Sequence, residues 1–119
     1  MDIRVKSAIA LMESNLKRGL KPNHLSRSVH LSRSRLRHLF KDETGLSPLQ
    51  YLNYLKMKRA KELLESSFLS IKEILIEINL NSSSRFALNF KRAYGLTPSA
   101  YRTLLRKNPK LPTDSHISV

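Results

Sequence analysis

An all-α fold built by internal duplication is what this sequence predicts, on three observations. Phe40, Lys41, Gly45, Leu46, Ser47, Pro48 and Tyr51 recur fifty residues later as Phe90, Lys91, Gly95, Leu96, Thr97, Pro98 and Tyr101, so one supersecondary unit is used twice. In both copies Gly follows the last apolar-periodic residues, where a left-handed cap costs it nothing, and a Ser-Pro or Thr-Pro pair supplies an N-cap and first helical residue. Each copy thus stops one helix and starts another. Only three glycines occur in 119 residues, and no long β-branched alternation appears that would argue for strands.

Taken in order, residues 3–18 place Val5, Ala8, Ile9, Met12 and Leu16 on one face of an amphipathic helix, which Gly19 is expected to end. A short helix from Pro22 to Val29 carries Leu25 and Val29 inward, and a longer one from Ser32 to Thr44 carries Leu36, Leu39 and Phe40. Leu49, Leu52, Leu55, Ala60, Leu63 and Leu64 then run through Pro48 to Glu65 without Gly or internal Pro, which reads as one long linker helix. Ser70 caps a helix to Ile78, with Glu73 completing a capping box. Ser82 opens the next, to Tyr94, and the last runs from Pro98 to Lys107.

About seven helices are therefore expected, as two helix-turn-helix subdomains joined by the long linker helix. Residues 1–47 hold the first helix and the first subdomain, 48–65 the linker, 66–107 the second subdomain, and 108–119 a flexible tail. A short helix, a tight turn and a second helix opening at Ser is the helix-turn-helix pattern. His30 and Asn79 stand in the turns where Gly is usual. Both residue types tolerate positive φ better than most. The register slips by one residue between the copies, at Asn81.

The chain carries 22 Lys plus Arg against 9 Asp plus Glu, a net charge of +13, which favours a polyanionic partner such as nucleic acid. No cysteine is present, so a disulfide framework, a thiolate zinc site and a cysteine nucleophile are excluded. His24, His30, His38 and His116 lack metal-ligand spacing, and no catalytic constellation or phosphate loop is recognisable, so neither catalytic residue, metal nor cofactor is expected. No signal peptide or membrane span is apparent. A cytoplasmic location follows.

With about 100° per residue, Ser34, His38 and Lys41 fall opposite the Leu36, Leu39 and Phe40 stripe, flanked by Arg37. That outer face carries groups suited to hydrogen-bonding or neutralising DNA. In the second copy Ser84, Leu88 and Lys91 take the equivalent places, and in a major groove Leu88 would be able to meet thymine methyls. Asn89 replaces core residue Leu39 and is expected at the edge of the core.

These residues resemble the DNA-binding domain of the AraC/XylS family of bacterial transcription regulators over about residues 5–106. The likeness is most specific at Ile74, Glu77, Ile78, Ser82, Ser84, Phe86, Phe90-Lys91, Gly95, Thr97-Pro98 and Tyr101-Arg102, and includes Arg59, Ala60, Lys61, Leu63 and Leu64 in the linker. The resemblance implies sequence-specific double-stranded DNA binding, with Ser34, Arg37 and His38 reading bases in the first half and Ser83, Ser84 and Leu88 in the second. Asn79 stands where the family usually has Gly, Leu88 where Arg is common, and Asn89 where a small or apolar residue is usual. Ser32, Arg33, Arg35, Lys41, Ser82, Arg85 and Lys91 are candidates for backbone contacts, the two serines through the amides of their helix starts.

A family of mostly activators further implies recruitment of RNA polymerase. The competing expectations are a basic helical module that docks an acidic protein, or a non-specific DNA-binding fragment of a larger regulator. Family members commonly carry a separate ligand-binding or dimerisation domain, for which 119 residues leave no room, so no ligand site is expected here. A linker of about 18 residues would be roughly 27 Å long, and successive major grooves lie about 34 Å apart. A shorter separation between recognition helices would require the duplex to bend.

Overall fold

A computed structural model describes residues 1–107 of the chain, which form helices and turns with no strand. The elements are α1 (Ile3–Ser14), α2 (Pro22–Ser28), α3 (Arg33–Thr44), α4 (Pro48–Ser66), α5 (Ile71–Glu77), α6 (Ser83–Tyr94) and α7 (Pro98–Lys107). The tail expected over 108–119, and His116 within it, lies outside the described residues. Two compact units result, one of residues 1–55 and one beginning at Lys56. Because α4 runs across that boundary, its early residues Leu52 and Leu55 belong to the first core and Met57, Ala60, Leu63 and Leu64 to the second.

In the first unit Val5, Ala8 and Met12 of α1 meet Leu25, Val29, Leu36 and Phe40. Phe40 is fully buried and packs edge-on against Tyr51, with ring centroids 5.4 Å apart. One sequence expectation is corrected here: α1 ends at Ser14, not at residue 18. Ser14 Oγ and Asn15 Nδ2 both donate to the Leu11 carbonyl, at 3.2 and 2.8 Å, and such local side-chain bonds compete with the helical ladder. Gly19, at φ 81°, closes the turn that follows.

The second unit repeats the plan around Ile74, Ile78, Phe86 and Phe90, all with no exposed surface. Phe90 packs on Tyr101 at 6.0 Å, repeating the Phe40 and Tyr51 pair. Tyr101 is more deeply buried than Tyr51, and its hydroxyl donates to the Glu65 carboxylate. Lys61 pairs with the same carboxylate at 3.0 Å and lies over the Tyr94 and Tyr101 rings. Arg102 of α7 donates to the carbonyls of Leu63, Ser67 and Leu69. It thus satisfies acceptors where α4 ends and helical partners run out.

Both helix-turn-helix turns are built alike. The His30 and Asn79 amides donate to Arg27 and Ile76 at 3.2 Å, and the Leu31 and Leu80 amides reach back to Ser26 and Leu75 at 3.0 and 2.9 Å. This is a Schellman cap, which requires one residue in the left-handed region. His30 at φ 56° and Asn79 at φ 55° fill that place, as the sequence predicts. Half-buried Lys56 donates to the Asn79 carbonyl at 3.2 Å, and burial lowers its pKa. Gly45 and Gly95, at φ 80° and 84°, end α3 and α6. Paired capping boxes start α4, between Ser47 and Gln50, and α5, between Ser70 and Glu73.

Candidate nucleic-acid interface

The second helix of each helix-turn-helix divides cleanly into two faces. On α3 the inner face is Leu36 and Phe40, at 2% and 0% exposure. Ser34, His38 and Lys41 are exposed on the opposite side and Arg37 on its flank, where the sequence places them, and Arg33 and Arg35 are exposed beside them. Arg33, Ser34, Arg37, His38 and Lys41 border one open groove of about 840 Å³. Its apolar wall includes Pro48 and Leu49, a feature that the helical periodicity of α3 alone does not reveal.

On α6 the inner face is Phe86 and Phe90, both at 0%, while Ser83, Ser84, Arg85, Leu88 and Lys91 are exposed. Asn89 is half-buried, at the edge of the core as expected. Arg92 is a residue that the sequence reading missed. It is exposed and lies one turn after Leu88, so the i, i+4 spacing that groups Ser84 with Leu88 would have found it.

Ser32 and Ser82 cap the two helices, their hydroxyls accepting the amides of Arg35 and Arg85 at 3.1 and 3.2 Å. Ser82 is half-buried and its hydroxyl lies 3.3 Å from that of Ser84. Each hydroxyl accepts in these caps, so the Ser32 hydroxyl keeps its own hydrogen to donate to a phosphate beside the helix-start amides.

Charge placement at these helix starts runs against helix stability. Neither α3 nor α6 has an acidic residue in its first turn, a feature shared with α1, α2, α4 and α7, and of the described helices α5 alone has one, Glu73. A carboxylate in the first turn complements the positive end of the helix dipole, and a cation there costs roughly 0.3–1 kcal/mol. Arg33 and Arg35 in α3 and Arg85 in α6 occupy that unfavourable turn. The two helix starts therefore present amides without helical partners, a positive dipole end and guanidinium groups together.

Among the described residues no group of three or more His, Asp or Glu is placed to hold a metal ion. No helix there is long and apolar enough to cross a membrane.

A family model described as a helix-turn-helix domain matches residues 25–104. The Msm operon regulatory protein of Streptococcus mutans is 34% identical over 98 residues, covering 82% of this chain and 35% of that protein. The lactose operon transcription activator of Staphylococcus xylosus is 29% identical over 98 residues, with the same 82% and 35% coverage. The chain thus spans about a third of the length of these relatives. Among solved structures, the DNA-binding domain of the global transcriptional factor AdpA, crystallised with a target DNA, superposes with a TM-score of 0.82 at 27% identity, covering 89% of this chain and 96% of that one. An AraC-type regulator from Chromobacterium violaceum gives 0.81 at 29% identity, covering 89% and 94%.

Proposed function

Because this chain belongs to the AraC/XylS family of helix-turn-helix transcription regulators, a family of DNA-binding proteins rather than enzymes, we propose that it binds double-stranded DNA sequence-specifically and regulates transcription from the bound site. Each unit offers one recognition helix, α3 or α6, to a major groove, and α4 joins them. The observation that carries this reading is the pair of Ser-capped helices, α3 and α6, that bury Leu36 and Phe40, or Phe86 and Phe90, on one face and expose Arg37 and Lys41, or Arg85 and Lys91, on the other. Such a face offers cations and helix-start amides to a phosphate backbone without disturbing the core behind it.

Within this reading Arg37 donates two hydrogen bonds to guanine O6 and N7, and Ser34 and His38 make adjacent base or water-bridged contacts. In the second unit Ser83, Ser84 and Leu88 face the bases. Arg33, Arg35, Lys41, Arg85 and Lys91, with the amides at the α3 and α6 starts near Ser32 and Ser82, hold phosphates and set the register without reading sequence. The outer faces of α3 and α6 differ, so a single chain prefers an asymmetric site in two parts. Bound beside a promoter in the cytoplasm of a bacterium, the protein acts as an activator that recruits RNA polymerase. The lactose operon activator among its relatives supports that direction.

Selection of binding sites from random duplex DNA by the purified chain, at two salt concentrations, tests the reading. A two-part motif is expected. Retention of DNA with no enriched sequence at either salt would overturn it.

A further inference from the structure

Leu88 is the one large apolar side chain on the exposed face of α6, with 50% of its surface open. Ser84 and Arg85 lie one turn before it and Lys91 and Arg92 one turn after, all exposed, and i±3 and i±4 positions are its nearest neighbours on the helix. An apolar centre inside a ring of cations fits poorly against another protein, where three cationic groups would have to be stripped of water beside it. It fits a major groove well. There phosphates line the rims and meet the cations, while the base edges lie at the centre.

At those edges one apolar group is available. Guanine, adenine and cytosine present only acceptors or donors in the major groove, whereas thymine also presents its C5 methyl. Leu88 set against a bare polar edge would remove water from it and return no hydrogen bond. On α3 the equivalent position is His38, which can donate or accept.

Resting on the DNA-binding reading above, we propose that Leu88 is a methyl-reading residue, and that the half-site of the second unit carries a C5-methylated pyrimidine, ordinarily thymine, under it. The two units then read by unlike chemistry, α3 through polar hydrogen bonding and α6 through apolar contact.

Replacing thymine by deoxyuridine removes the methyl and keeps the base pair. With the preferred duplex in hand, each thymine of the second half-site is exchanged singly and affinity is measured by fluorescence anisotropy for the native chain and for Leu88→Ser, a change at a half-exposed site that leaves the core untouched. One position is expected at which uracil weakens the native chain about fourfold, the worth of one buried methyl, and leaves Leu88→Ser unaffected. Sequence-selective binding with no uracil-sensitive position, or equal loss in Leu88→Ser, would overturn this inference alone. Absence of any sequence-selective binding would overturn the functional reading and this inference with it.

Discussion

Raising salt is the perturbation whose effect on DNA binding follows most directly from the exposed cations. Arg33, Arg35 and Lys41 on α3 and Arg85 and Lys91 on α6 are all exposed and assigned to phosphates. Each neutralised phosphate releases counterions, so about five such contacts predict a slope of log affinity against log salt near −4.5. Between 50 and 200 mM salt the affinity should fall about 500-fold. Lys91→Ala removes one contact, should bring the slope to about −3.6, and should reduce the fall to about 150-fold. Lys91 is exposed at the end of α6, so folding should be undisturbed, which circular dichroism would verify. Fluorescence anisotropy titrations on one labelled duplex at four salt concentrations give both slopes. A native slope shallower than about −2, or a Lys91→Ala slope equal to the native one, would refute the assignment of these side chains to the DNA backbone.

Arg37→Ala should cost about 1–3 kcal/mol on the preferred duplex and much less on a scrambled one; equal losses in the same titration would make Arg37 a phosphate contact. Tyr101→Phe removes a buried hydrogen bond to a carboxylate and should lower stability by about 1.5–3 kcal/mol in urea denaturation. Burial and the neighbouring Glu65 raise the Tyr101 pKa above the ordinary 10.0. The folded chain therefore keeps a proton that the unfolded chain gives up, and stability should fall as pH rises beyond about 10. Tyr101→Phe should flatten that fall. In the second turn, Asn79→Ala should be about 1 kcal/mol less stable than Asn79→Gly, because Ala meets the full steric cost at φ 55°; equal denaturation midpoints would show that the turn relaxes.

The repeat makes much of the fold legible in the amino-acid sequence. Leu36 and Phe40, and Phe86 and Phe90, recur at the spacing that buries them, and the left-handed turn positions of His30 and Asn79 follow from the cap that a tight turn demands. The outward stripes of α3 and α6 were legible for the same reason, since one angle per residue fixes both faces. What escaped the sequence depends on contacts between distant positions. Periodicity carries no sign that Arg102 closes the end of α4, or that Tyr101 reaches Glu65 36 residues earlier. The early end of α1 escaped because apolar spacing continues through Leu16 while two side-chain hydrogen bonds at Leu11 halt the helix.

The division of α3 and α6 into two faces also bears on how such a chain changes over generations. Residues that hold each helix in place and those proposed to meet the duplex share an element but no surface, so on the proposed reading a substitution at Leu88 or His38 should alter the target while the folding free energy stays nearly constant. New binding preferences can then accumulate one half-site at a time, each copy free to drift while its twin keeps the protein anchored. Duplication on this plan yields two independent dials on one scaffold.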